Sequence, residues 1–244
     1  MIIVLTKIRR ILDPNIYKYL RTIFVGIIYL IPFNLRLKIF HFFSKNSVFY
    51  KNIKKHDIVV QVGAPADLIN QGRSRSLHIL LRNPKQLLVI EPDPFSVSVL
   101  KEIIKKLDYR RNVKVLSGAI SLKKKNSILI SNNNHQATNR LYDNNVSYKE
   151  SDIKKIKVKC KKLTDYFKKI EILPTVLSIT TNGGEGSVID QYLYEVKKKD
   201  FPRVISLAPP DDKFLKILKK YNYNFIDYDD RGMTFKNQSI NNED

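Results

Sequence analysis

Five short apolar runs recur between residues 58 and 207, and most are followed by a turn and then by apolar residues at helical spacing. I-V-V-Q-V at 58–62 ends at Gly63, L-L-V-I at 87–90 ends at Glu91, and V-K-V-L at 113–116 leads to Gly118. T-V-L-S-I-T at 175–180 leads to a glycine-rich turn at 183–186, and R-V-I-S-L at 203–207 leads to Pro210 and Asp211. Near-continuous apolar runs of this kind are strands buried on both faces, as in parallel sheets. Between them, Val97, Leu100, Ile104 and Leu107 mark one helix face, Ile189, Leu193 and Val196 a second, and Phe214, Ile217, Leu218 and Tyr221 a third. Asp93 followed by Pro94 is a helix start, an N-cap acid before a proline at the first helical position. Strands alternating with helices predict a doubly wound, mostly parallel α/β sheet with right-handed crossovers.

The chain ends differently. N-Y-N-F-I-D-Y and G-M-T-F-K, joined across Asp229, Asp230, Arg231 and Gly232, have hairpin composition and predict an antiparallel pair at one sheet edge. S-I-L-I at 127–130 and I-K-V-K-C at 156–160 read as further strands, and the Asn-rich run at 132–145 with the Lys-rich run at 149–162 as a long polar loop feeding a strand.

With 244 residues, 43% of them apolar, the chain can bury a sizeable core, which argues against whole-chain disorder. Its single cysteine, Cys160, forms no internal disulfide, and His41, His56, His78 and His135 lack ligand-like spacing, so no metal site is expected. The formal net charge of +21 favours anionic partners, whether nucleic acid, anionic lipid or phosphorylated substrates. Two regions follow: a basic, aromatic-rich helical extension at 1–56 and an α/β domain at 57–244. The first 57 residues hold 11 Lys or Arg against two Asp. The residues leave two readings of this extension open, a cap packed on the following domain or a basic amphipathic helix lying on an anionic membrane. The apolar run at 23–33 is short for a span and is broken by Pro32, and no cleavage pattern follows the first residues. A cytoplasmic protein is expected, peripheral to the inner membrane face in the second reading.

In an open parallel sheet, ligands bind beyond the carboxyl ends of the strands, near the point where strand order reverses. The residues there are Gly63, Ala64 and Asp67 after the first strand, Glu91 and Asp93 after the second, and Gly118, Ala119 and Ile120 after the third. An acid ending the second strand accepts hydrogen bonds from a ribose diol, which is the role expected of Glu91 if a nucleoside cofactor binds.

The series V-V-Q-V-G-A, V-I-E-P-D-P, L-S-G-A-I-S and L-S-I-T-T-N-G-G-E-G resembles, in order and spacing, the FkbM-type methyltransferases, a branch of the class I S-adenosylmethionine-dependent enzymes. The resemblance covers about residues 57–236. It implies a seven-stranded Rossmann-like methyltransferase sheet, S-adenosyl-L-methionine as cofactor, and O-methylation of a sugar hydroxyl on a glycan, glycolipid or small metabolite. It places Gly63 and Ala64 against the methionine part, Glu91 on the ribose, and Gly118, Ala119 and Ile120 beside the adenine. The chain departs from the family at Gln61, where an Asp is usual, and at Asp67, where a second glycine is usual. Asp67 pairing with the cofactor ammonium, and Arg73 or Arg75 with its carboxylate, would restore the lost contacts.

After the fourth strand Thr180 and Asn182 stand in place of carboxylates, leaving Glu185 as the acid of that turn. Glu185 is therefore the expected base, with Asn182 and Thr181 orienting the acceptor, against the plainer reading that Glu185 charges a helix start. Two other functions stay open. RNA methylation is motivated by the net charge and opposed by T-N-G-G where an amine-methylating turn would stand, and a non-catalytic methyltransferase-like scaffold is motivated by the departures themselves. His135 reads as a loop histidine and Cys160 as a strand residue.

Overall fold

The computed structural model describes residues 23, 26–108, 112–122, 125–132, 136–143, 153–208, 211–229 and 232–239. His135, Pro210, Asp230 and Arg231 lie outside them, as does most of the 1–25 segment. In chain order come α1 (Phe33–Ser44), α2 (Val48–Lys51), β1 (Ile58–Val62), α3 (Ala66–Asn70), α4 (Arg75–Leu80), β2 (Gln86–Glu91) and α5 (Pro94–Lys106). There follow β3 (Val113–Ser117), β4 (Ala119–Ile120), β5 (Asn126–Asn132), β6 (Arg140–Leu141), β7 (Ile153–Lys161) and α6 (Leu163–Ile170). The chain continues through β8 (Val176–Thr180), α7 (Glu185–Glu195), β9 (Val204–Ala208), α8 (Lys213–Lys219), β10 (Tyr223–Asp229) and β11 (Gly232–Asn237).

The main sheet has seven strands in the order β10-β11-β9-β8-β1-β2-β3. β3, β2, β1, β8 and β9 run parallel, and β11 is antiparallel to both β9 and β10, so the expected terminal hairpin forms at one edge. Helices cover both faces. Val60, Val62, Leu88, Ile90, Leu177 and Ile179 pack on α6, α7 and α8. Val59, Leu87, Val89, Val176 and Val204 face α1 to α5, including Leu37, Phe49 and Tyr50 of the amino-terminal helices. Period-two alternation sends successive residues of each strand to opposite layers, which is why these strands lack the polar alternation of a half-exposed sheet.

Two local devices fix the helices. Asp93 caps α5, its carboxylate accepting from the Phe95 and Ser96 amides at 3.2 and 3.3 Å. Gly72 adopts φ +73°, and a Cβ there would meet the Leu37 backbone at 3.0 Å, so α1 lies directly on the chain leading into α4. At the amino-terminal end of the strands, Asp57 accepts from Arg203 Nη2 at 2.9 Å and from Thr175 Oγ1 at 2.7 Å, a nearly buried pair tying three segments together.

A second sheet, ordered β4-β7-β5-β6, departs from the long polar loop expected for much of this stretch. The strands read at 127–130 and 156–160 do form, but they pair antiparallel with each other over seven positions, from Asn126 with Lys159 to Asn132 with Ile153. They stand outside the main sheet, on a small core of Ala119, Leu129, Val158 and Cys160.

Candidate functional site

Strand order reverses at β1, with β2 and β3 to one side and β8 and β9 to the other. Beyond the carboxyl ends of these strands lies a cleft of about 1090 Å³. Its floor begins at Gly63. This residue has φ +88°, and a Cβ would fall 2.1 Å from the Thr180 carbonyl oxygen, so only glycine lets the ends of β1 and β8 approach this closely. Gln61 is fully buried, and its Nε2 donates to the Val62 and Gly63 carbonyls at 2.8 and 2.9 Å and to Thr180 Oγ1 at 2.9 Å. Thr180 Oγ1 in turn donates to Val62 O at 2.9 Å. The two neutral residues standing where carboxylates were expected thus stitch β1 to β8. Gln61 Oε1 meets no donor among the described residues.

Glu91 ends β2 on the cleft floor and is 4% exposed. Its Oε2 accepts from the Ala64 amide and its Oε1 from the Asp93 amide at 2.9 Å. Each oxygen keeps a lone pair for a further donor. Burial outweighs these bonds and pushes the carboxyl up to about 7, with Asp93 and Asp67 adding repulsion.

The other residues expected around the cofactor are placed unevenly. Gly118, Ala119 and Ile120 line the cleft beyond β3. A Cβ on Gly118 would lie 2.1 Å from the Tyr166 hydroxyl, which reaches in from α6 and is held above its usual range, at about 12, chiefly by burial. Ala64 is buried beneath the floor and contributes its amide to Glu91. Asp93 is buried and occupied as a helix cap, accepting also from Ser96 Oγ at 2.7 Å. Asp67 stands on α3 outside the lining, its Oδ1 accepting from the Leu68 amide at 2.9 Å.

The turn after β8 brings Thr181 and Asn182 to the cleft wall. Glu185 is 3% exposed and outside the lining, with its carboxylate directed back into the turn. Oε1 accepts from the Thr181 amide and hydroxyl, both at 2.9 Å, and from the Gly183 amide at 3.0 Å. This geometry makes Glu185 the brace that shapes the turn at the start of α7. Asn182, at φ +60°, points the other way. Its Nδ2 donates to the Ala137 and Asn139 carbonyls at 2.7 and 3.0 Å, joining the main sheet to the loop that roofs the cleft.

One wall of the cleft was not legible at single positions, and Arg75, expected on a cofactor carboxylate, is engaged with the protein itself. The second sheet supplies the far wall, through Leu129, Arg140, Leu141 and Tyr142 among others. Arg75 is buried at the floor, where its Nη1 donates to Ser178 Oγ at 2.9 Å and Ser206 Oγ at 2.8 Å and its guanidinium lies 4.9 Å from the Phe49 ring centre. These serines face Gln61 and Thr234 across the register, forming a buried polar row through β1, β8, β9 and β11. A serine inside an apolar strand run was the available signal. No group of His, Cys, Asp and Glu suited to a metal occurs among the described residues.

No protein-family model matches the chain, and no curated protein matches it. Among solved structures, methyltransferase FkbM from Methylobacillus flagellatus is similar at 12% identity and TM-score 0.47, over 78% of this chain and 46% of that one. TrmK of M. capricolum, solved with S-adenosyl-homocysteine, is similar at 11% identity and TM-score 0.44, over 83% of this chain and 68% of that one. The M. jannaschii tRNA m1G37 methyltransferase is similar at 15% identity and TM-score 0.41, over 84% and 49% respectively. The chain thus spans about half the length of the first and third of these proteins.

Proposed function

We propose that the chain is an S-adenosyl-L-methionine-dependent methyltransferase of the class I, Rossmann-like type. The observation that carries this reading is Glu91, a buried carboxylate at the end of β2 that is anchored by two backbone amides and still opens to the cleft. A buried charge is costly, and this position suits a ligand that brings two hydroxyl donors. The surroundings fit such a cofactor. Gly63 presents bare backbone to the cleft, Gly118, Ala119 and Ile120 offer a small, largely apolar wall for a base, and Gln61 Oε1, buried behind the lining, is an acceptor that meets no donor among the described residues.

When bound, the cofactor supplies an electrophilic methyl group on a sulfonium. The chain's own part is binding and alignment. Glu91 would hold the ribose, Glu185 would act as a positioning residue for the 181–184 turn, and Thr181 with Asn182 would border the acceptor. Holding a reactant in line can remove about 7–11 kcal/mol of the barrier to such a transfer. The acceptor we assign is a hydroxyl, of a sugar or a related polyol. It is favoured by the concentration of hydroxyl, amide and guanidinium groups on this side of the cleft, from Arg73, Ser74, Arg75, Thr181, Asn182 and Ser187.

Calorimetric titration with S-adenosylmethionine and S-adenosylhomocysteine tests the reading. Micromolar binding that weakens at least tenfold in Glu91→Gln is expected. Absence of binding to either would remove the cofactor assignment and favour a non-catalytic role. Repeating the titration with 5′-methylthioadenosine, which lacks the amino-acid part, separates the ribose contacts from those of the amino-acid part.

A further inference from the structure

The helices before β1 leave a large apolar surface in water. Leu30 is 84% exposed, Phe42 60% and Phe43 57%, with Ile27, Tyr29 and Leu35 about half exposed. Isolated exposed apolar residues are ordinary, but a cluster of large ones marks an interaction surface. The opposite side of α1 is engaged elsewhere, since Arg36, Leu37 and Phe40 are buried, Leu37 in the core shared with β1 and β2. On α1 the exposed Leu35, Phe42 and Phe43 are therefore left over after the helix has packed on the domain, and the residues just before it add Ile27, Tyr29 and Leu30.

Its charge identifies what covers it. From Pro14 to His56 the sequence contains no Asp or Glu. Lys38 is exposed on α1 beside Leu35 and Phe42, Lys45 Nζ lies 4.6 Å from the Phe42 ring centre, and Lys51 and Lys55 are exposed just beyond. A second copy of the chain would bring the same positive charge to the contact, so self-association is disfavoured. A solvated cap would not need bare aromatic rings. Apolar side chains ringed by lysines, with acids absent, match the boundary between acyl chains and anionic headgroups. None of the helices among the described residues is long and apolar enough to cross a membrane. The geometry therefore points to a docking face on an anionic lipid surface.

We infer that Ile27, Leu30, Leu35, Phe42 and Phe43 insert at the headgroup level while Lys38, Lys45, Lys51 and Lys55 meet lipid phosphates. The face is coupled to the cleft. Arg73 lines the cleft and places its guanidinium 5.7 Å from the ring centre of Phe40, and Gly72 touches the α1 backbone. Docking rests on the exposed face alone and stands independently of whether the cofactor assignment holds.

Sedimentation of the full chain with phosphatidylcholine vesicles, with and without phosphatidylglycerol, tests the proposal. Binding to the anionic vesicles is expected to be about tenfold or more tighter than to neutral ones and to weaken with salt. Leu30→Ser/Phe42→Ser/Phe43→Ser should lower it by about tenfold or more, and Lys38→Glu/Lys45→Glu should do the same. Thermal melting that matches the parent chain shows these surface variants are folded. Lys155→Glu/Lys157→Glu/Lys159→Glu, on the exposed face of β7, should bind as the parent does. Failure to sediment with anionic vesicles overturns the proposal. So does binding that follows the β7 lysines, or a dimer of the parent that the triple serine variant abolishes.

Discussion

Replacing Glu91 by glutamine should change how stability depends on pH, and the size of the effect follows from the burial of the carboxyl. Its pKa rises from 4.5 to about 7 on folding, and each unit corresponds to about 1.4 kcal/mol. The folded state therefore holds this proton more tightly than the unfolded state does. Stability from protonated Glu91 is fully present below pH 4.5, declines as pH rises through 7, and is lost by about a unit above 7. Between pH 5 and pH 8 the decline amounts to about 2 to 3 kcal/mol.

Glutamine cannot ionise, so Glu91→Gln should lack this component. It will carry a pH-independent penalty of roughly 1–3 kcal/mol instead, because its NH₂ faces the Ala64 or Asp93 amide where an oxygen stood. Urea unfolding of both proteins at pH 5, 6, 7 and 8 separates the two effects, since only the parent should lose ground as pH rises. Parallel profiles across that range would refute the assignment of a perturbed carboxyl. A ribose bound to the carboxylate reverses the trend for the ligand, and S-adenosylhomocysteine affinity should fall about tenfold per pH unit below 7.

Three further outcomes are expected. Gly118→Ala should destabilise the protein by roughly 1–3 kcal/mol through its clash with the Tyr166 hydroxyl, and Tyr166→Phe in the same chain should restore part of that loss in a denaturation cycle, because the offending oxygen is gone. Asn182→Gly keeps the left-handed backbone but deletes the bonds to Ala137 and Asn139, so hydrogen exchange should quicken around residues 136–141 while the melting temperature moves by only a few degrees. Asp57→Ala should cost about 3–5 kcal/mol by leaving the Arg203 charge without its counter-ion, with the Asn52 carbonyl remaining, yet leave cofactor affinity in the folded protein unchanged, since the pair sits at the far end of the strands from the cleft.

Much of the fold was readable because β-branched runs buried on both faces carry their own signature. The strands at 58–62, 87–90, 175–180 and 203–207 needed no knowledge of their neighbours, and Asp93–Pro94 announced a capped helix. Pairing was less accessible. I-K-V-K-C at 156–160 reads as a strand, but whether it joins the main sheet or folds back on Asn126–Asn132 depends on contacts some thirty residues away. The same limit governs the site. Glu91 could be placed on the cleft floor because it ends a strand, whereas the direction of the Glu185 carboxylate depends on the turn it braces. Gln61 looked like a loss beside an expected Asp, and its tie to Thr180, 119 residues on, is a tertiary fact. Arg75 was singled out for the cofactor carboxylate, but its bridge between Ser178 and Ser206 was not readable, since those serines lie on strands more than a hundred positions away.

The contact at Gly72 gives the amino-terminal helices a mechanical role. Because Leu37 rests against a residue with no side chain, and because Phe49 and Tyr50 fill the same core as β1 and β2, α1 is seated on the domain with little slack. A chain begun at residue 57 would leave the beds of Leu37, Phe49 and Tyr50 empty beneath the strands that carry the cleft floor. Arg73, Ser74 and Arg75 follow directly on Gly72, so the segment on which α1 rests runs straight into the lining of the cleft.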